Sequence, residues 1–148
     1  MATNPLISQG TLNRVRASLS VINTPALNIT ASNMGKEMLS LAFEGDASGY
    51  IPTATGAVPT PEPYRMATIT VHLLRTQSLA NNWKSQEELS TSIGDVTVST
   101  NASTLQNYSL TNCTIVGISD LNLNGDDAGY VLRIKGTYLI NSALWNLV

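Results

Sequence analysis

Charged side chains are scarce in this 148-residue chain: they make up 12% of it, about half of the usual ~25%. The eight lysines and arginines are too few for tight binding to nucleic-acid phosphates, which needs many cations. Serine, threonine and asparagine together supply about a third of the residues instead. The surface is therefore polar but only weakly repels its own copies, and we expect the protein to associate with itself.

Cysteine and histidine occur once each, as Cys113 and His72. A single cysteine excludes an intrachain disulfide, and one histidine with one cysteine supplies too few ligands for a typical zinc site. Both residues lie in segments with strand-like patterns, where a structural role is the common one. The sequence therefore predicts no catalytic residue, no cofactor and no metal, and we expect that the protein is not an enzyme.

Long apolar runs are also missing. None approaches the ~18 residues that a membrane-spanning helix requires, and the N-terminal sequence MATNPLISQG lacks the basic and apolar regions of a secretory signal. We expect no membrane association and synthesis in a cytoplasm.

One motif has the first half of a calcium-binding loop. Asp120, Asn122, Asn124 and Gly125 follow the pattern D-x-[DN]-x-[DN]-G, which needs a glutamate at its twelfth position. That position is Val131, and the flanking segments alternate like strands rather than helices. Because Asn-Gly between two alternating runs favours a tight connection, we interpret this segment as a hairpin turn rather than a metal site.

Alternation of apolar and polar residues predicts six or seven strands. The clearest example is RMATITVHLLRT, residues 65–76, in which every second residue from Ala67 to Leu73 is apolar. In the last predicted strand, Tyr130, Leu132 and Ile134 share one face. The segments assigned to strands are residues 11–22, 37–46, 65–76, 93–100, 107–120 and 128–141.

Residues 77–92, QSLANNWKSQEELSTS, are the best candidate for a helix. Ser85 with Glu88 fits a capping box, so the helix is expected to begin or restart there. Leu79 and Trp83 are the side chains expected to pack it on a sheet. The side predicted to face the sheet comprises Leu79, Trp83, Gln86 and Leu89.

Residues 45–64, GDASGYIPTATGAVPTPEPY, contain three glycines and four prolines. Proline interrupts both strand pairing and helices, so the sequence predicts a long loop, and loops of this length in compact domains are usually functional. Its apolar residues favour an ordered extension that docks on another molecule, although a mobile insertion is the simpler alternative. The residues available for such a contact are Tyr50, Ile51, Val58 and Tyr64.

These patterns predict one mainly β domain over residues 1–148. We expect a β-sandwich or a partly closed β-barrel with one packed α-helix. Residues 1–10 form an N-terminal arm, and residues 45–64 form the long loop.

The order of these elements resembles that of bacteriophage tail tube proteins of the contractile-tail type. The likeness comprises a short arm, an opening strand, a long loop near the middle, a strand, a helix and closing strands that end in GYVLRIKGTYLIN. It implies a structural subunit that forms hexameric rings through a continuous inner β-barrel. The rings would stack into a hollow tube in the virion tail, with the sheath and tube-end proteins as partners.

The same resemblance assigns the N-terminal arm and the 45–64 loop to contacts between rings. Tyr50, Ile51, Val58 and Tyr64 would be the anchors, although ordinary packing within the domain is an equal alternative for each. DNA would pass through the lumen without sequence-specific binding, along polar faces of the long strands.

Two other functions remain open at this point. A β-sandwich module that binds carbohydrate or protein would present a platform of exposed aromatic side chains, but aromatics make up only 5% of the chain. A tube subunit of a bacterial contractile injection system would have the same subunit properties as a phage tail tube protein.

Overall fold

The computed structural model describes residues 6, 17–100, 105–119, 123, 125–126 and 129–144. Almost all of the N-terminal arm predicted at residues 1–10 lies outside this part. The described residues form eight strands, two short 3-10 helices at Pro25–Leu27 and Ala31–Asn33, and one α-helix. The strands are β1 (Ala17–Val21), β2 (Met34–Glu44), β3 (Ser48–Pro52), β4 (Ala57–Pro61), β5 (Tyr64–Leu74), β6 (Ser92–Thr100), β7 (Tyr108–Ser119) and β8 (Gly129–Leu139), and the helix is α1 (Ser78–Leu89).

Six of the strands form one antiparallel sheet in the order β1-β6-β7-β8-β5-β2. The sheet curls into a half-barrel, so the fold is mainly β with one helix, as predicted. β3 and β4 pair only with each other among the described strands. Their side chains are largely exposed, so this pair does not form the second layer of a sandwich.

The centre of the sheet follows the predicted alternation. β5 and β8 pair without interruption from Tyr64–Leu139 to Leu74–Gly129. Every second residue of β5 from Ala67 to Leu73 is buried, and Leu132 and Ile134 of β8 are buried beside them. Because successive side chains of a strand point to opposite faces, the apolar set lies inside the curl and the polar set lies outside.

Helix α1 joins the end of β5 to the start of β6 and packs into the core. Leu79 and Trp83 are buried, as predicted, and the Tyr130 hydroxyl of β8 donates a hydrogen bond to the Ala80 carbonyl at 3.4 Å. The helix is continuous from Ser78 to Leu89, so the predicted restart at Ser85 was wrong. Leu89 was also misplaced: it is 84% exposed, because its position falls in the last turn.

A bulge in β2 changes which side chains face the core. Leu39, Leu41 and Phe43 alternate along β2 and pack against the core, whereas Glu37, which continues the same alternation, is exposed. The register with β5 shifts between Met34 and Leu39, and Met38 has a φ of 54°. Five steps along β2 oppose two along β5 in this stretch, and an odd number of extra residues puts the side chains before Leu39 out of phase with those after it. The sequence pattern contained no sign of it.

The contact between β7 and β8 requires a glycine. A Cβ atom at Gly136 would lie 2.5 Å from the Cys113 sulfur and 3.2 Å from the Leu110 Cβ. Both of those side chains are fully buried, and a packed core accommodates added atoms poorly. Because Gly136 has no side chain, the Cys113 and Leu110 side chains of β7 can pack directly against the backbone of β8.

Candidate assembly surface

The segment predicted as a long loop is a β-hairpin followed by the first residue of β5. β3 and β4 pair over five positions and are joined by a turn at residues 53–56. The expectation that prolines prevent pairing here was wrong. The cross-strand pairs are Ser48–Pro61, Gly49–Thr60, Tyr50–Pro59, Ile51–Val58 and Pro52–Ala57.

The prolines are tolerated because of their positions in the ladder. Pro52, Pro59 and Pro61 all fall in alternate pairs. Since proline has no N–H, those pairs are the ones whose backbone groups point away from the partner strand. The pairs that carry the ladder hydrogen bonds are Gly49 with Thr60 and Ile51 with Val58.

The hairpin presents apolar side chains on both of its faces. Ile51 and Val58 are direct cross-strand partners, so they share one face, while Tyr50 and Pro59 share the other. Tyr50, Ile51 and Val58 are 73%, 55% and 51% exposed. The described part of the domain therefore leaves both faces of the hairpin uncovered.

Tyr64 lies outside the hairpin. It is the first residue of β5, where it pairs with Leu139 of β8, and both side chains are about half exposed. Its exposed side chain is therefore part of the large sheet rather than of the hairpin. Three of the four predicted contact residues are therefore together on the hairpin, and the fourth is at its base.

The base of the hairpin is held by the segment that follows β8. The Asn141 side-chain amide donates hydrogen bonds to the carbonyls of Glu62 at 2.7 Å and of Ala47 at 3.1 Å. The N–H of Glu62 also donates to the Ala47 carbonyl at 3.0 Å. Asn141 has a φ of 55°, a conformation that asparagine tolerates better than most residues. The hairpin is thus fixed where it leaves the sheet.

The two edges of the large sheet differ. At β1, Leu19 exchanges two backbone hydrogen bonds with Ile29, at 2.9 and 2.8 Å, and the Asn28 side chain accepts from the Val21 N–H at 2.8 Å. The chain itself thus covers this edge. β2 is the other edge strand and pairs only with β5 among the described strands. Its backbone leaves a long unpaired edge.

A cleft separates these two edges at one end of the half-barrel. It has a volume of 740 Å³ and is lined by Ala17 of β1 and Met38 of β2, with hydroxyl side chains between them. The curled sheet therefore does not close on itself at this end.

The outer face of the central strands is polar. It carries threonines on β5, Ser40 on β2, and Arg133 and Lys135 on β8. The exposed apolar side chains of Tyr64 and Leu139 lie at the end of the same face, so the face is polar mainly along its middle. Lys135 forms an ion pair with Glu44 at 3.0 Å, and this hydrogen bond and charge hold the pKa of Glu44 below its ordinary value. The pair cancels one of the two lysine and arginine charges on β8.

An aromatic cluster lies where β2, β7 and β8 approach the hairpin. The rings of Phe43, Tyr108 and Tyr138 have centroids 5.2 to 6.0 Å apart, and the Arg65 guanidinium lies 5.1 Å from the Phe43 centroid. These rings are partly buried and contact one another. They do not form the exposed flat platform that a carbohydrate-binding surface would present.

Cys113 and His72 lie on opposite faces of the sheet. Cys113 is fully buried, and burial raises the pKa of its thiol to about 11. His72 lies on the outer face of β5 opposite Val131. Within the described residues, no three His, Cys, Asp or Glu side chains are grouped so that they could hold a metal ion.

The connection that resembles half a calcium loop joins two strands. β7 and β8 are antiparallel neighbours that pair as far as Ser119 with Val131, which is the arrangement that a hairpin connection requires. Asp120, Asn122 and Asn124 lie outside the described residues. Val131, at the twelfth position of the motif, is buried in β8.

No protein-family model matches the chain, and no curated protein matches it.

Among the residues that the structure describes, no helix has the length and apolar content needed to cross a membrane.

Proposed function

We propose that this chain is the structural subunit of a phage tail tube, in which hexameric rings stack around a channel for DNA. The observation that carries the proposal is the hairpin at 48–61, which is fixed at its base and leaves apolar side chains uncovered on both faces. Contiguous exposed apolar surface of this kind marks contact sites between molecules. A subunit that builds an assembly would use it to bind its neighbours.

The unpaired edge of β2 supports ring formation. A long open edge favours pairing with another chain, and beside it Leu39, Leu41 and Phe43 are only partly buried against the core. A neighbouring copy at this edge would cover both the backbone groups and these side chains. Head-to-tail contacts close into a ring when the rotation between copies is right.

The largely polar outer face of β2, β5 and β8 is the face we assign to the channel. It opposes the core, carries hydroxyl side chains, and has one of its cations neutralised by Glu44. A channel for DNA must avoid strong binding to phosphates, whose affinity increases with each uncompensated lysine or arginine. The wall would then let DNA pass without sequence-specific contacts.

The remaining roles follow from this assembly. The hairpin and the N-terminal arm would contact the next ring, with Tyr50, Ile51 and Val58 as anchors and Tyr64 at the margin of the contact. Sheath and tube-end proteins would be the other partners, and the virion tail would be the location. This role requires no enzymatic activity and no cofactor.

Negative-stain electron microscopy of the purified chain, over a range of concentration and salt, tests the proposal. We expect hollow tubes or six-fold rings. The matched variant replaces residues 48–61 with Asn-Gly, a two-residue turn that suits the hydrogen-bonded pair of Ala47 and Glu62. It should remain folded but fail to stack, whereas Thr55→Ser in the hairpin turn should assemble normally.

Two results would count against a tube subunit. One is a chain that stays monomeric at the highest concentration tested. The other is an assembly without six-fold symmetry or without a central channel. If the variant lacking residues 48–61 still stacks, the hairpin is not the contact between rings.

A further inference from the structure

The open edge of β2 requires a strand as its partner. Among the described strands, β2 pairs only with β5, and its inward-facing Leu39, Leu41 and Phe43 are only partly buried against the core. An extended segment supplies hydrogen bonds to such an edge, and its alternate side chains lie beside those of the edge strand. The occupant of this edge must therefore be a strand with one apolar face.

The other edge strands that the structure describes do not fit this role in a second copy. The outer edge of β1 is occupied, because Leu19 exchanges two backbone hydrogen bonds with Ile29 and the Val21 N–H is bound by a side chain. β3 and β4 have three prolines at outward positions, and proline on an edge opposes pairing. Two β2 edges could pair with each other, but that two-fold contact would close a dimer and leave no edge for a ring.

Residues 11–16, TLNRVR, have the required pattern. They lie outside the described residues, and the sequence assigns them to the same strand as β1. Val15 and Ala17 continue the alternation of Leu19, which is buried in the core, so the described strand sets the phase of the apolar face. The segment has the same length as residues 39–44, the open apolar stretch of β2.

The topology gives this segment the direction needed for antiparallel pairing. β1 and β2 are the two ends of a six-stranded sheet in which all neighbours are antiparallel, so β1 and β2 run in opposite directions. Ala17 of β1 and Met38 of β2 line the same cleft. A segment that continues β1 from residue 16 back to residue 11 therefore runs in the same sense as β2 from residue 39 to residue 44.

The cleft distinguishes a segment of the same chain from that of a neighbouring copy. In the same chain, the pairing would have to begin beside Ala17 and Met38, where a cleft of 740 Å³ separates β1 from β2. Paired strands lie only about 4.8 Å apart. The segment of a neighbouring copy can reach the β2 edge without closing this cleft. Donor and acceptor are then different surfaces, which is the head-to-tail arrangement that closes into a ring.

We propose that residues 11–16 of one copy pair antiparallel with residues 39–44 of the next copy, with Val15 on the core-facing side. The inference rests on the proposed function, because it takes the β2 edge as the contact within a ring. It adds which segment of the neighbour occupies that edge. Each curled sheet is thereby extended by a strand from another subunit.

Pairs of introduced cysteines test this contact. In a Cys113→Ala background, Val15→Cys is combined with one cysteine at a time on the inward-facing positions of the open stretch, which are Leu39, Leu41 and Phe43. These positions cover the registers that keep Val15 inward. Opposed residues of antiparallel strands have Cα atoms about 4.5–5.5 Å apart, within the range of a disulfide. After mild oxidation, one combination should give a ladder of covalent oligomers on a non-reducing gel.

The control and the contrary outcomes use the same gel. Ser40 points to the outer face, so Val15→Cys with Ser40→Cys is the matched control and should give no ladder. A disulfide confined to monomers, identified by mass spectrometry, would show that each chain pairs with its own segment. Dimers from Leu41→Cys alone would show that two β2 strands pair. Either result, or no cross-link in any combination, would overturn the inference.

Val15→Pro tests the same contact without changing β2. Proline removes an N–H and interrupts strand pairing, so six-fold rings should be lost in electron micrographs while circular dichroism shows a folded subunit. Ser8→Pro, in the N-terminal arm, is the matched control and should retain rings. Rings formed by Val15→Pro would contradict the strand exchange.

The outcomes separate this inference from the proposed function. Tubes without a cross-link between residue 15 and β2 would leave the tube function standing and overturn the strand exchange. Cross-linked head-to-tail assemblies without a channel would do the reverse. A chain that remains monomeric and forms no cross-link would overturn both.

Discussion

The large sheet and the hairpin are both antiparallel β-structure, yet they use their side chains in opposite ways. In β5 the apolar side chains occupy one face and are buried. In the hairpin they occupy both faces and are exposed. Since burial of apolar area is the main stabilising term in folding, the sheet stabilises the subunit. The hairpin leaves its apolar area available for association.

Proline shows the same contrast. β5 and β8 lie inside the sheet, have partners on both sides and contain no proline. In such strands a missing N–H would break a ladder bond. The hairpin has one partner per strand, so half of its backbone groups point outward. Three prolines are accommodated at those positions.

The largest expected effect compares one aromatic side chain from each region. Trp83→Ala should lower the free energy of unfolding by about 3–5 kcal/mol, because it removes a fully buried aromatic side chain. Tyr50→Ala should change it by less than about 0.5 kcal/mol. Urea denaturation of the unassembled subunit measures both. Similar losses for the two variants would mean that the hairpin packs on its own domain.

The packing of the sheet is tested at the glycine between its central strands. Gly136→Ala should cost about 1–3 kcal/mol, because its Cβ atom would lie 2.5 Å from the Cys113 sulfur. Adding Cys113→Ala should recover part of the loss. A double-mutant cycle measured by urea denaturation gives the coupling. Strictly additive effects would show that the two sites are independent.

The link between the two regions is tested at Asn141. Asn141→Asp tolerates the positive φ but cannot donate to the carbonyls of Ala47 and Glu62. The expected cost is about 1 kcal/mol, with faster amide hydrogen exchange confined to residues 47–62. Equal acceleration in β5 and β8 would mean that Asn141 stabilises the whole subunit rather than the hairpin base.

The stability of the core also depends on alkaline pH. Burial raises the pKa of Cys113 from 9.0 to about 11 and the pKa of Tyr130 from 10.0 to about 12. When the pKa of a group is higher in the folded state than in the unfolded state, its contribution to stability is complete below the unfolded-state pKa. That contribution is lost as the pH rises through the folded-state pKa. The free energy of unfolding should therefore fall above about pH 9. Cys113→Ala should flatten the part of this fall between about pH 9 and 11, and an unchanged slope would contradict the assignment.

The sequence predicted the long strands well because each has one buried and one polar face. The alternation over residues 67–73 and 130–134 identifies the core-facing side chains, and both were confirmed. The helix was also confirmed, and Leu79 and Trp83 are buried on it. Local pattern was sufficient in these places, because burial on one side imposes a period on the sequence.

The hairpin was not predicted because the effect of each proline was judged from its own segment, without the strand that pairs with it. Whether Pro59 or Pro61 breaks a ladder depends on which way its nitrogen points, and only the cross-strand register decides that. The β2 bulge at Met38, which exposed Glu37, has the same cause. Neither feature leaves a periodic signal within its own segment.

By itself, the sequence determined the weak charge of the chain, its β content, and the faces of β5 and β8 that form the core. These properties depend on composition and on the alternation of side chains along a strand. Only the tertiary structure decided which edge of the sheet is covered, how the prolines fit the hairpin, and that Asn141 fixes its base. Those features depend on contacts between residues distant in the chain, which no local pattern encodes.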